Sequence, residues 1–432
     1  MKKTRAYLNV LKFRLNRAMR REVVSNFPIE AYLEPTSFCN LRCPACPTGL
    51  RLGERPFASV NENLFKSAID VIGDYVFLLW MYNWGEPLLH KQTPELIGYA
   101  KTKDLKVVLS SNLSIKLSGD YIERLVGSGL DTLIVSLDGV TEESYAKYRR
   151  GGSLALVREN LLRIRDAKSR LNSPTPHVLW QFLVFKHNEH EIAEAVALHR
   201  EWGADEIKVA PAEMPLAPYN DGFEPSTLPQ YNMYHRESDF VKETERQMSA
   251  SRPCSWLYGT FVMNPNGKVS PCCGVSAEKN DFGEFDAGND FFKVWNNDTF
   301  KRARRMFARS AGAPSGFGVS EEERREISRR IDGMAMGVNH SLGEDELICH
   351  KCPIPFRQGD IDITILDVTY KLAHALVHDP SLSVKVRCVA AYVLMGAPFW
   401  RRLLSEGARK VLWRQPGGGS HLVEQRAGTP PA

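Results

Sequence analysis

Between residues 30 and 210 the sequence repeats one alternation six times: a short run rich in Val, Ile, Leu, Tyr or Trp, then a longer amphipathic stretch with helical spacing. A parallel sheet with helices outside requires this alternation, because each parallel strand has to be reached by a crossover. The apolar runs predict strands at 29–35, 75–82, 106–111, 132–137, 177–185 and 206–210. Helices are expected between them at 62–72, 94–103, 119–128, 142–148, 154–171 and 189–202. Six βα units are fewer than the eight of a closed barrel. The expected fold is therefore α/β, a partial (βα)6 TIM-like barrel whose ligands gather at the C-terminal ends of the strands.

The rest of the 432 residues divides around that barrel. Residues 1–29 read as a basic helix, and 211–252 as a Pro-rich and then polar linker. A small α+β module is expected over 253–360, because Phe261-Val262-Met263, Asn264-Pro265-Asn266-Gly267 and Lys268-Val269 spell strand, tight turn and strand. The stretch 301–345 reads as an exposed helical insertion, 361–414 as helices and 415–432 as a disordered Gly/Pro tail.

Charge narrows the class of partner. Residues 1–21 carry +8 and residues 369–414 carry +6, leaving −9 on the body, so no basic face for nucleic acid is expected on the folded core. No apolar run is long enough to span a bilayer, and the start lacks the apolar segment of a signal peptide, which predicts a cytoplasmic protein. Leu8, Leu11, Leu15 and Met19 fall on one helical stripe, and Trp400, Leu403, Leu404, Ala408, Val411 and Leu412 on another, each beside basic residues. Such stripes suit packing onto the body or peripheral contact with anionic lipid.

The nine cysteines are grouped. Cys39-x3-Cys43-x2-Cys46 follows the first strand, at the end where a barrel builds its active site. Three thiolates in eight residues suit a soft metal. An iron–sulfur cube held by only three of them keeps one iron open; zinc with a fourth ligand and three unrelated buried thiols are the plainer readings. The spacing resembles the hallmark of the radical S-adenosylmethionine (SAM) enzymes. That resemblance implies a 4Fe-4S cluster whose open iron takes SAM, reductive cleavage to a 5′-deoxyadenosyl radical, and a flavodoxin- or ferredoxin-type reductant. Trp84-Gly85-Glu86-Pro87 resembles the family's Gly-Gly-Glu-Pro motif, which implies that Gly85 and Glu86 receive the SAM ammonium. Ser111 and Asn112 end the third strand where the family meets the ribose, and Ser136 ends the fourth where it meets the carboxylate. Each alone reads equally as a turn or cap residue. Ala45 stands where the family usually has an aromatic residue near adenine. Tyr82, Asp138 and Gln181 are placed to face the barrel interior.

Cys254, Cys272, Cys349 and Cys352 make a second four-ligand set, chemically suited to zinc or to a fully ligated iron–sulfur cube. The x17 interval across a hairpin and the closing Cys-x2-Cys resemble the SPASM and twitch extensions of radical SAM enzymes, which implies an auxiliary 4Fe-4S cluster. Cys273 is then a bystander or alternative ligand, and Cys388 a buried apolar residue. A fully ligated auxiliary cluster suits electron transfer, so oxidation or epimerisation of a substrate is expected. Only 29 residues precede the first strand, whereas peptide-modifying members often carry an N-terminal recognition domain. That tilts the expected substrate towards a small hydroxylated molecule such as a sugar or aminocyclitol, or a lipid- or glycan-linked precursor. A peptide substrate is the alternative within the class, and a non-enzymatic iron–sulfur electron relay the alternative outside it.

Overall fold

The computed structural model describes residues 4–51, 55–212, 223–232, 235, 253–286, 288 and 290–308. Cys349, Cys352, Cys388, the greater part of the expected linker and of the insertion, the C-terminal helices with their stripe, and the tail lie outside the described residues.

All six expected strands form: β1 (Glu30–Leu33), β2 (Leu78–Trp80), β3 (Lys106–Ser111), β4 (Thr132–Ser136), β5 (His177–Val184) and β6 (Glu206–Pro211). They pair in parallel in the order β6-β5-β4-β3-β2-β1. Along β5 the residues alternate. Val178, Trp180, Phe182 and Val184 are fully buried, whereas Leu179, Gln181 and Leu183 are only half-buried. The buried face carries the helices, and the other face lines the concave interior.

Helix α1 (Thr4–Ala18) precedes the sheet, and the crossovers are α2 (Glu62–Ile72), α3 (Thr93–Lys101), α4 (Gly119–Gly127), α5 (Glu142–Tyr148), α6 (Leu154–Arg170) and α7 (Ile192–Leu198). Four of them begin where a side chain satisfies an otherwise orphaned N–H. Asn61, Ser118, Thr141 and Ser153 accept from Asn63, Tyr121, Ser144 and Leu156. Fully buried Phe65, Ala68, Ile69, Leu96, Ile97, Leu125, Leu161 and Ile164 supply the apolar faces of α2, α3, α4 and α6.

Among the described residues, the strands after residue 253 join the same sheet. Helix α8 (Trp256–Gly259) leads into β7 (Thr260–Met263), which lies parallel to β1 from Glu30↔Thr260 to Leu33↔Met263. β8 (Lys268–Ser270) and β9 (Gly283–Glu284) follow antiparallel, giving nine strands in one sheet among the described residues. The expected turn is present: Asn264 and Lys268 close it, and Gly267 takes φ +84°, a conformation that costs glycine little. Behind it, Phe261, Phe282, Phe285, Phe291, Trp295 and Phe300 pack with ring centroids 5.0 to 6.3 Å apart.

Helix α1 corrects one expectation. Its inward face is Ala6, Asn9, Val10, Phe13 and Asn16, while Leu8, Leu15 and Met19 of the expected stripe are more than half exposed. The asparagines explain the rotation, because both find partners inside. Asn9 bonds the carbonyls of Phe27 and Pro28, and Asn16 bonds Asn26, which reaches the carbonyl of Tyr258. Among the described residues no helix is long and apolar enough to cross a membrane.

Candidate active site

The first cysteine loop leaves β1 and returns to α2, closed at its neck by the bridge Thr36↔Ser59 and by bonds from Ser37 N to Ala58 O and from Val60 N to Pro35 O. Inside the neck the chain turns so tightly that a Cβ on Gly49 would lie 2.4 Å from the carbonyl oxygen of Cys43, so only glycine fits. Cys43 is buried among Leu41, Tyr148, Phe185, Ala212 and Phe223, with Cys39, Ala45 and Cys46 packed at the margin. The loop thus gathers all three expected thiols. Among the described residues no three His, Cys, Asp or Glu side chains converge to hold one metal ion. A cube makes a different demand, since each cysteine binds its own iron.

Polar groups from the end of β3 and from the end of α5 face this loop. Asn112 Nδ2 lies 3.9 Å from Cys39 Sγ and 3.0 Å from Asn40 Oδ1. Arg149 Nη1 lies 4.0 Å from Cys43 Sγ, and its Nε bonds Asp138 at 2.6 Å. Burial pushes the Cys39 thiol up to about 12. Cys43 rises to about 11 for the same reason, with the Arg149 guanidinium pulling the other way.

Two buried carboxylates shape the rim. Glu86, in the loop after β2, uses both oxygens within the chain. Oε1 accepts from the Ser111 hydroxyl at 2.8 Å and from Leu88 N at 3.0 Å, and Oε2 accepts from Asn112 N at 2.7 Å. The Ser111 hydroxyl also accepts from Leu113 N. Of the residues expected to meet SAM, Glu86, Ser111 and Asn112 therefore form a bonded frame that ties the β2 and β3 ends together. Gly85 sits against the neck, where a Cβ would fall 1.9 Å from Thr36 O. Ser136 stands apart from the frame, half-buried on the interior face, with its hydroxyl 3.5 Å from that of Ser110 and with Gln181 as its β5 neighbour.

Glu34 is the residue that sequence reasoning missed. Its Oε1 takes the backbone N–H groups of Trp84 and Gly85, each at 2.6 Å, while Oε2 is buried with no partner. Burial pushes both Glu34 and Glu86 up to about 7, against the hydrogen bonds that lower them. The available signal was a carboxylate ending a buried-looking strand run, which is costly unless it has a task. An orphaned buried acceptor and a glycine cradle beside the thiol loop are features that fit a bound amino acid moiety such as that of SAM.

The interior below this rim is aromatic on one side. Tyr32, Trp80 and Val108 pack with Leu78 and Val262, with Tyr82, Trp256 and Cys273 at the margin. Tyr32 stacks on Trp80 at 5.5 Å. Cys273 thus joins the interior wall, whereas burial pushes the thiol of neighbouring Cys272 up to about 12, with Cys254 acting in the same direction. Two further contacts, also missed, tie this second region to the rim. The Trp84 indole bonds Val275 O at 3.2 Å, and Arg55 grips Asp281 with two bonds of 2.7 and 2.8 Å.

Comparison with known proteins agrees with this architecture. The radical SAM superfamily model matches residues 33–198, and the SPASM iron–sulfur cluster-binding domain model matches 254–315. A PqqA peptide cyclase of Xanthomonas oryzae pv. oryzae is 24% identical over 305 residues, covering 64% of this chain and 77% of that one. That of Gluconobacter oxydans is 27% identical over 258 residues, covering 57% and 70%. The crystal structure of Streptococcus suis SuiB shares the fold, with TM-score 0.51, 15% identity and coverage of 68% and 71%. The expectation of a small hydroxylated, lipid-linked or glycan-linked substrate does not stand against these relatives, because the cyclases are named for acting on a peptide. The shortness of the segment before β1 was too weak a signal to choose a substrate class. The two domains imply a SAM-bound 4Fe-4S cluster and an auxiliary cluster, and the chain belongs to the radical SAM enzymes that carry a SPASM domain.

Proposed function

We propose that the chain is a peptide-modifying radical SAM enzyme in which Cys39, Cys43 and Cys46 hold the SAM-binding cluster. The observation that carries this reading is the gathering of those three thiols in one necked loop against Asn112, Arg149 and the glycine cradle of Gly85. When bound, the cluster and SAM supply a 5′-deoxyadenosyl radical that abstracts hydrogen from the substrate. Gly85 gives the loop its close approach, Glu34 fixes the Trp84–Gly85 amides and offers its free oxygen to a donor, and Ser136 offers a hydroxyl from β4. Glu86, Ser111 and Asn112 hold the two strand ends in register rather than reach for the ligand. The Tyr32–Trp80 wall keeps water from the interior and suits an apolar or aromatic side chain of a peptide. Cys254 and Cys272, with Cys349 and Cys352, are the proposed auxiliary ligands.

The peptide relatives support the substrate class, and the test follows from it. The enzyme is to be reconstituted anaerobically, reduced, and assayed for 5′-deoxyadenosine, then co-expressed with short reading frames that flank its gene while peptide masses are recorded. A peptide whose mass changes with the wild type and not with Cys43→Ala supports the proposal. Deoxyadenosine formation that survives Cys43→Ala overturns the ligand assignment.

We also propose that the outward stripe Leu8, Leu15 and Met19, with exposed Lys12, rests on anionic lipid. Flotation on phosphatidylserine liposomes at low salt tests this, and protein that stays at the bottom of the gradient rejects it.

A further inference from the structure

We propose that Arg149 raises the reduction potential of the cluster held through Cys43, and that Asp138 limits how far it does so. The inference rests on the assignment of Cys43 as a cluster ligand.

Asp138 follows β4, where its side chain is 0% exposed. Its Oδ1 accepts from Leu183 N at 2.8 Å and its Oδ2 from Arg149 Nε at 2.6 Å. The carboxylate is thereby fixed by β5, and it in turn fixes the guanidinium. With Nε occupied, the planar fork carries Nη1 to within 4.0 Å of Cys43 Sγ. The Tyr148 ring lies against the same guanidinium, 5.0 Å from its centroid, and the Arg149 side chain is only 12% exposed. The loop is tied to this corner a second time, by the bond from Arg42 N to Arg150 O at 2.9 Å.

A cation in this position acts on charge, and burial makes the action strong. Adding one electron to an iron–sulfur cluster makes it more negative, and a fixed positive charge beside a ligating sulfur stabilises the added charge. An exposed cation would be screened, whereas one enclosed by Tyr148, Asp138 and the loop works at low effective dielectric. Cys39, by contrast, faces the neutral amide of Asn112 at 3.9 Å. Asp138 carries the opposite charge one bond further out, so it holds Arg149 in place and offsets part of its field. Arg149 is a positioning and tuning residue in this account. A merely structural Arg149 would only pin the segment after α5 to β4.

The opposed signs of the pair make the test. Wild type, Arg149→Gln, Arg149→Lys and Asp138→Asn are to be reconstituted anaerobically, checked for iron and for native circular dichroism, and titrated with a low-potential chemical reductant under EPR. The cluster in question is identified by the change of its signal on adding SAM. Arg149→Gln is expected to shift the potential to more negative values, Asp138→Asn to more positive values, and Arg149→Lys to stay near wild type. An unchanged potential in Arg149→Gln, or a shift of the same sign in Arg149→Gln and Asp138→Asn, overturns the inference. Should Arg149→Gln fail to fold, the sign of the Asp138→Asn shift decides alone. A wild type with no SAM-responsive signal would instead overturn the ligand assignment beneath it.

Discussion

The rim around the first cysteine loop and the strand module that carries Cys254 and Cys272 are ordered by different forces. At the rim, Glu34, Glu86, Asp138 and Arg149 are buried or nearly so, and each is held by directed hydrogen bonds of 2.6 to 3.0 Å. In the second module a block of six aromatic rings packs behind β7 to β9, and backbone amides of Leu257, Trp256 and Gly274 face the two thiols. Directed bonds to charges specify geometry but are costly to leave unmade and respond to pH. Aromatic packing is less directional and insensitive to pH. A site that must orient a ligand at a strand end needs the first kind of order; a fully ligated redox centre is served by the second.

Glu86→Ala strands the Ser111 hydroxyl and the N–H groups of Asn112 and Leu88, and should cost about 3–5 kcal/mol in urea unfolding. Retention of wild-type stability would show that the frame is ornamental. Next comes the tie between the regions. Arg55→Met leaves Asp281 buried without its cation and should cost about 3 kcal/mol, most of which Arg55→Met with Asp281→Leu restores. A loss in the double variant equal to the sum of the Arg55→Met and Asp281→Leu losses would mean that the pair is not coupled.

The pH response sharpens the contrast. Glu34 and Glu86 sit at about 7 in the folded chain against 4.5 ordinarily, so the folded state keeps protons that the unfolded chain releases. The resulting stability is full below pH 4.5 and is lost as pH rises to about 7. Glu34→Gln cannot ionise, so its melting temperature should fall less than that of wild type between about pH 5 and about pH 7.5. Parallel melting curves across that window would refute the raised value. The smallest effect belongs to α1. Leu8→Ser with Leu15→Ser should change stability by less than about 0.5 kcal/mol, because both side chains face outward, and calorimetry showing a larger loss would return them to the packed face.

Much of the barrel was legible because its signals are local. The span 106–111 matches β3 and 62–72 matches α2, residue for residue, since strand periodicity and an Asn cap are read within a few residues. The second strand is shorter than expected, Leu78–Trp80, because pairing with β1 and β3 spans only those residues while the run rich in apolar and aromatic residues extends from Tyr75 to Tyr82. Of the two readings of the α1 stripe, packing onto the body does not hold, because Asn9 and Asn16 find partners at Phe27, Pro28 and Asn26 and take the inward face instead.

The alternation of strands and helices, the clustering of three thiols after β1 and the turn at Gly267 are written locally, because each depends on residues near one another in the chain. Tertiary structure decided which groups those thiols meet. Glu34 reaches Gly85 across 51 positions, Arg149 reaches Cys43 across 106 and Arg55 reaches Asp281 across 226. Such pairings follow from which strand ends, helix ends and loops the fold brings side by side, and no spacing along the chain encodes that adjacency.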